Sequence, residues 1–375
     1  MKTLYVHIGT PKTATKAIQN FCWENPKALE KYGYCYPDLH DLCPWCTKVK
    51  NGHFLVNPFA IEDKEERQRA EQELYRMGMD RVIALFSVYD NIILSDEGIY
   101  RDTYKRRRSL WQELKEDGER HGFHVKIVVY LRRQDDWLVS VWNQNVKQGA
   151  ESVTRRTWEE FVSQQGEGRQ LDYFKKLESI SEVLGTDHVI VRRYQPGTFY
   201  GGTIYDDFLH SVGLDLTEEF EISKEERNLS LTGNTQEIMR IINGVSRLDE
   251  DDMNFIRNIL HKDEQISRES YPSCLFSVRE RKKILTTYRR SNRLVAGKYL
   301  GEQAGSDLFP ETVPDVPKWR PDNPYMQQDV IRFAALGMAR LKEENKMLRS
   351  NYKKLRRELD ELSQLVQQTA KSGQQ

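Results

Sequence analysis

The strongest restriction on the fold comes from residues 125–131, which read Val-Lys-Ile-Val-Val-Tyr-Leu. Val125, Ile127, Val128, Val129 and Leu131 make a near-continuous apolar run, the pattern of a strand covered on both faces rather than one. Four more strand-like runs lie at Thr3–Ile8, Gly33–Tyr36, Asn91–Ser95 and Val189–Tyr194. Helix-like periodicity fills the intervals, over Thr13–Glu30, Glu65–Met79, Tyr104–His121, Asp135–Gln148 and Leu171–Leu184. Strands alternating with helices predict βαβ units, hence an α/β fold with a mostly parallel sheet and helices on both faces.

Beyond Tyr194 the pattern turns helical, over Tyr205–Val212, Leu231–Ile242, Asp252–His261 and Val278–Tyr299. These segments are expected to pack around the sheet as one domain spanning 1–300. Pro310, Pro314, Pro317, Pro321 and Pro324 mark 301–328 as a linker or an extended wrap. A coiled-coil helix is expected over 329–370. There Ile331, Met338, Asn345, Tyr352, Leu359 and Val366 fall on heptad position a, and Ala334, Leu341, Leu348, Leu355 and Leu362 on d. Asn345 at a is a device for fixing register and a two-stranded state, and Glu344 at g faces Arg349 at e of a parallel partner. A parallel homodimer through 331–366 is the expectation; the alternative is a helix folded back on its own domain.

Composition excludes some functions. Lysine plus arginine equals aspartate plus glutamate, at 57 each in 375 residues, so the chain is no general nucleic-acid binder, although a local cationic pocket is compatible with this balance. No apolar run approaches the roughly 18–20 residues that cross a bilayer. Leu4, Val6 and Ile8 alternate as a strand where a secretory leader would be, so a cytoplasmic protein is expected. Five cysteines do not suggest a disulfide framework. Cys43-Pro44-Trp45-Cys46 has redox or half-zinc-site spacing, but it sits in a loop and reads better as ordinary loop cysteines.

Two segments carry chemistry. In Gly9-Thr10-Pro11-Lys12-Thr13-Ala14-Thr15-Lys16 a strand passes through a polar loop into a helix whose apolar face holds Ile18, Phe21, Cys22 and Leu29. Such a start aims unpaired N–H groups and the positive end of the helix dipole at one point, with Lys12 as a point charge and the Thr13 and Thr15 hydroxyls as further donors. It is not a Walker A motif, because Ala14-Thr15-Lys16 stands in place of Gly-Lys-Ser/Thr. In the second segment the 125–131 strand ends in Arg132-Arg133 and a helix follows. Arg132 emerges at the carboxyl end of its strand, where open α/β sheets bind ligands, and Ser140 lies eight residues on.

Together the two segments resemble the sulfotransferases that use 3′-phosphoadenosine-5′-phosphosulfate (PAPS), especially the bacterial-type members that act on carbohydrates. Pro11-Lys12-Thr13-Ala14-Thr15-Lys16 is similar to that family's Pro-Lys-Thr/Ser-Gly-Thr-Thr/Ser loop for the 5′-phosphosulfate, and Arg132 with Ser140 to its 3′-phosphate contacts. Softer likenesses are Tyr34–Pro37, Ser95-Asp96-Glu97 and Asn228-Leu229-Ser230-Leu231. Two positions depart. Ala14 replaces glycine, which calls for a negative φ there, and Lys16 replaces a hydroxyl residue and adds charge.

The resemblance implies transfer of a sulfuryl group from PAPS to an acceptor hydroxyl, on a carbohydrate or glycoconjugate, without a metal. Lys12 is then the cation at the leaving phosphate and His53 the favoured base, with Glu97 the runner-up. Trp137, Trp142 and Asn143 are candidates for facing a sugar, and core packing explains the tryptophans equally well. The rival readings are an ATP-dependent phosphotransferase and a non-catalytic scaffold that oligomerises through the coiled coil.

Overall fold

The computed structural model describes residues 1–56, 59–102, 109–149, 156–166, 169–223, 231, 233–260, 266 and 274–372; for 365–372 only the backbone is described. Tyr104, Asn228-Leu229-Ser230 and the Val366 side chain therefore lie outside the described residues. The elements are β1 (Thr3–Gly9), α1 (Thr15–Glu24), α2 (Pro26–Lys31), β2 (Tyr34–Cys35), α3 (Lys64–Leu85), β3 (Asn91–Ser95), α4 (Gly98–Asp102), α5 (Leu110–His121) and β4 (His124–Leu131). They continue with α6 (Gln134–Gln148), α7 (Trp158–Gly166), α8 (Tyr173–Leu184), β5 (Val189–Arg193), α9 (Ile204–Val212), α10 (Gly233–Ile242), α11 (Glu250–Leu260), α12 (Val278–Leu300) and α13 (Met326–Ser372).

The sheet is parallel throughout, in the order β2-β3-β1-β4-β5. Side chains alternate along a strand, so each strand feeds two cores. Leu4, Val6 and Ile8 of β1, with Ile127, Val129 and Leu131 of β4, pack beneath α3, α5, α8 and α12. Tyr5, Val128 and Tyr130 point the other way, against Ile18 and Phe21 of α1 and Phe208 and Leu209 of α9. Burying each such side chain is worth about 1.5–3 kcal/mol. The expectation from 125–131 holds, since a strand with helices on both faces needs apolar residues at both parities.

One expected helix, Thr13–Glu30, is divided at Asn25-Pro26. Pro26 has no N–H to continue α1 and instead opens α2. The Asn25 side chain donates to the Phe21 carbonyl (2.8 Å) and the Glu221 carbonyl (2.8 Å) and accepts from the Glu221 N–H (2.7 Å), fixing the break.

The chain forms two compact units: residues 1–142, 157–228 and 276–315 in the first, and 143–156, 229–275 and 316–375 in the second. This differs from a single domain over 1–300, because α10 and α11 group with α13 rather than with the sheet. A buried polar cluster in the second unit ties α10 to α13. The Asn234 amide donates to Asp329 Oδ2 (2.7 Å) and its oxygen accepts from Asn323 Nδ2 (2.7 Å) and Trp319 Nε1 (2.8 Å). No helix among the described residues is long and apolar enough to cross a membrane.

Candidate functional site

Strand β1 leaves the sheet at Gly9, and the chain to α1 is held in an uncommon shape. Gly9 has φ 80°, Lys12 71° and Ala14 57°. Left-handed backbone costs an L-residue about 1–2 kcal/mol, so neighbours must hold it. They do so by capturing carbonyls. Arg132 Nη1 donates to the Lys12 carbonyl (3.0 Å), and Trp137 Nε1 to the Pro11 carbonyl (2.8 Å). The Thr13 hydroxyl donates to the Thr10 carbonyl (2.5 Å), and the Thr10 N–H to the Tyr130 carbonyl (2.9 Å).

With these carbonyls occupied, the amides are left over. Among the described residues, the N–H groups of Thr13, Ala14, Thr15 and Lys16 meet no acceptor. A left-handed residue inside a turn brings successive N–H groups into one concavity, an anion-binding nest, here at the positive end of the ten-residue α1. Two expectations are corrected. Ala14 takes positive φ, not negative, which is the conformation glycine adopts most cheaply. Thr13 and Thr15 turn their hydroxyls onto Thr10 O, so they brace the loop instead of donating outward. Lys12 is half-buried and Lys16 exposed.

A second cluster sits where β3 ends. A Cβ at Gly9 would lie 3.1 Å from Glu97 Cβ and 3.3 Å from Thr15 Oγ1, so this cluster abuts the loop. Asn51 pins the 50–55 segment to β3, donating to Ile93 O (2.9 Å) and accepting from Ser95 N (2.8 Å). Gly52 permits the approach, because a Cβ there would be 3.2 Å from the Ser95 carbonyl carbon. His53 follows, with Nδ1 2.7 Å from Asp96 Oδ2. Asp96 is 1% exposed and its other oxygen accepts from the Gly98 N–H at 2.6 Å. A buried carboxylate on Nδ1 orients the ring and directs Nε2 away from it.

Glu97 has different company. Lys50 Nζ is 2.6 Å from Glu97 Oε1 and 3.9 Å from Asp96 Oδ1, and Gln19 donates to Glu97 Oε2 at 3.3 Å. Burial works against the Lys50 charge, yet the two carboxylates outweigh it and raise its pKa. Gln19 also donates to Ser95 Oγ (3.2 Å), which bonds His7 Nδ1 (2.9 Å). Lys50 and Gln19 were not candidates from the sequence, and Asp96 entered only within the Ser95-Asp96-Glu97 likeness, with no role of its own. A carboxylate directly after a buried strand, at Asp96, was the available signal.

The two arginines after β4 separate in role. Arg132 reaches the loop and stacks over Tyr194, 5.5 Å from the ring centroid. Arg133 pairs with Asp135 (2.8 Å) and donates to the carbonyls of Pro310 (3.2 Å) and Thr312 (3.0 Å), a structural assignment. Ser140 lies half-buried on α6, its hydroxyl without a hydrogen-bond partner among the described residues.

The proposed sugar-facing trio is not on an open face. Trp137 is buried holding Pro11, and Trp142 packs against Trp158 and Phe161 with centroids 5.7 and 5.2 Å away. Asn143, in the second unit, donates to the Leu231 carbonyl at 2.8 Å. Burial pushes the Cys43 thiol up to about 12, so it is no thiolate near neutrality.

No family model matches the chain. It is similar to a protein of Archaeoglobus fulgidus described as uncharacterized, 34% identical over 177 residues. That match covers 47% of this chain and 46% of the relative, so the chain spans about half the length of the curated relative it matches.

Proposed function

We propose that this chain is a sulfotransferase that moves a sulfuryl group from PAPS to an acceptor hydroxyl. The observation that carries the reading is the Pro11–Lys16 loop: four amides without acceptors beside Lys12, tied to the end of β4 by Arg132. An anion nest alone fits any phosphorylated ligand. An arginine one strand away suits a second phosphate on the same ligand, which fits a 3′,5′-bisphosphorylated nucleotide. Arg132 and Ser140 would hold the 3′-phosphate, and Pro11 to Lys16 the 5′-phosphosulfate. PAPS supplies an activated sulfuryl group whose leaving group is a phosphate.

Lys12 and the loop amides stabilise the negative charge that grows on that leaving phosphate. His53 is favoured as the base over Glu97. Its Nε2 takes the acceptor proton while the Asp96 carboxylate, on Nδ1, holds the tautomer and stabilises the imidazolium. Glu97 is occupied by Lys50 and Gln19. The acceptor class, a carbohydrate or glycoconjugate, rests on the motif resemblance, and cytoplasmic location belongs to the same proposal.

The test is ligand-induced thermal stabilisation. Adenosine 3′,5′-bisphosphate should raise the melting temperature, through a stabilisation of about 2.7 kcal/mol at a hundred times Kd. Arg132→Ala should abolish that rise without lowering the unliganded melting temperature by a comparable amount. Stabilisation by ATP-Mg and not by the bisphosphate would favour a phosphotransferase and sink the proposal; binding of neither would favour a scaffold. Lys12→Ala should then abolish transfer of sulfate from PAPS in a protein that still folds.

A further inference from the structure

The C-terminal helix carries a second inference, independent of the reaction. In α13 the heptad seam is uncovered. Ile331, Met338, Leu341, Leu348, Tyr352, Leu355, Leu359 and Leu362 are each 48–66% exposed. The helix does dock on its own unit, but through another face. Asp329 is buried there, Arg332 donates to the Ile266 carbonyl (3.2 Å), and a Cβ at Gly337 would lie 3.5 Å from Ile259 Cδ1. Ile331, Ala334 and Met338 stay exposed beside these contacts. Among the described residues, folding back on the chain therefore leaves the seam uncovered, and an apolar stripe this long requires a partner.

We propose that the partner is a second copy of this chain, joined in a parallel, in-register, two-stranded coiled coil through 331–362. Charge decides the direction. Every charged residue at e, namely Lys342, Arg349 and Arg356, is basic, and the charged residues at g, Glu344 and Glu358, are acidic. Parallel helices face g with e′, which sets Glu344 against Arg349 of the other copy. Antiparallel helices face e with e′ and g with g′, and every charged pair would then be of like sign.

Asn345 agrees with this direction. In a parallel pair its a position meets its own counterpart, and the two carboxamides satisfy each other. In an antiparallel pair a meets d′, and a carboxamide would be set against leucine. Among the described residues its Nδ2 reaches the helix's own Leu341 carbonyl, at 3.0 Å, which leaves the amide oxygen for a second chain. Leucine at four of the five d positions is compatible with two strands, and the single Asn345 at a is what selects them.

Sedimentation equilibrium of the full chain at micromolar concentration should return about twice the 44.2 kDa chain mass. A monomer or a trimer would overturn the proposal. Leu348→Lys with Leu355→Lys should give the monomer mass while the sheet keeps its melting transition, since both side chains are exposed within one chain. A dimer surviving both changes would place the interface elsewhere and refute this one. For direction, Leu362→Cys lies far from the middle of the seam, so air oxidation should cross-link it in a parallel dimer, above the wild-type background. An uncross-linked dimer would mean antiparallel helices. Glu344→Lys should weaken association several-fold, and adding Arg349→Glu should restore it. The Arg340–Glu344 pair within the helix (3.0 Å) stays broken in both variants, and Arg349→Glu alone, which gains the same intrahelical Lys353 pairing, should weaken association rather than restore it.

Discussion

Ala14 concentrates the chemistry of the loop in one residue. Its backbone sits at φ 57°, with no side-chain cap to offer α1, and with Lys12 at 71° it is one of two non-glycine residues held left-handed in the loop that carries the four amides. Ala14→Gly removes about 1–2 kcal/mol of left-handed strain and adds roughly 0.4–1 kcal/mol of unfolded-state entropy. The expected outcome is a variant neutral to stabilised by about 1 kcal/mol in urea unfolding. Ala14→Val should lose more than 1 kcal/mol, because a β-branched residue tolerates that region worst. Equal stability of the two variants would mean that position 14 is not left-handed. Arg132 makes the complementary point. Nothing local distinguishes it from Arg133, and only their partners differ: Arg132 meets a carbonyl of the loop, and Arg133 meets Asp135.

Elements here carry information beyond their own stability. Helix α3 holds Gly78 in its interior, where glycine costs about 1 kcal/mol relative to alanine. It is present because Phe54 lies against it: a Cβ would fall 2.2 Å from Phe54 Cδ2. Phe54 follows His53 in the turn that presents the imidazole to Asp96, so helix packing sets the height of the candidate base. Gly78→Ala should therefore destabilise by about 1–3 kcal/mol despite its better helix propensity, by overpacking. Chemical denaturation reads this directly, and a gain in stability would contradict the contact.

For the whole molecule, the central strand has a consequence in acid. His7 is fully buried in β1, and burial lowers its pKa from 6.5 to about 3. The folded chain thus holds His7 neutral where the unfolded chain would protonate it. The stability this contributes is fully present above pH 6.5 and is lost as pH falls from there toward 3, at about 1.4 kcal/mol per pH unit. Unfolding free energies between pH 7 and 4.5 should show that slope relative to His7→Gln, which lacks the group. Parallel slopes for the two proteins would show that His7 does not titrate on unfolding.

The amino-acid sequence by itself determined the strands and most of the helices, though not α4, α7 or the division of Thr13–Glu30. All five strands fall within one residue of where apolar runs put them at each end, because burial on both sides of a parallel sheet leaves a pattern readable in a few residues. The heptads and the anion-ready helix start are local for the same reason. What only the tertiary structure decided are the encounters. Arg132 meets Lys12 across 120 positions and His53 meets Asp96 across 43, and neither distance leaves a periodic trace. The break at Asn25 depends on Glu221, and the tie between α10 and α13 depends on the Asn234 cluster. Even the loop that reads most plainly as an anion site owes its shape to side chains from another strand and helix. Periodicity specifies which face of an element is buried; it does not specify which distant carbonyl an arginine or an indole will find.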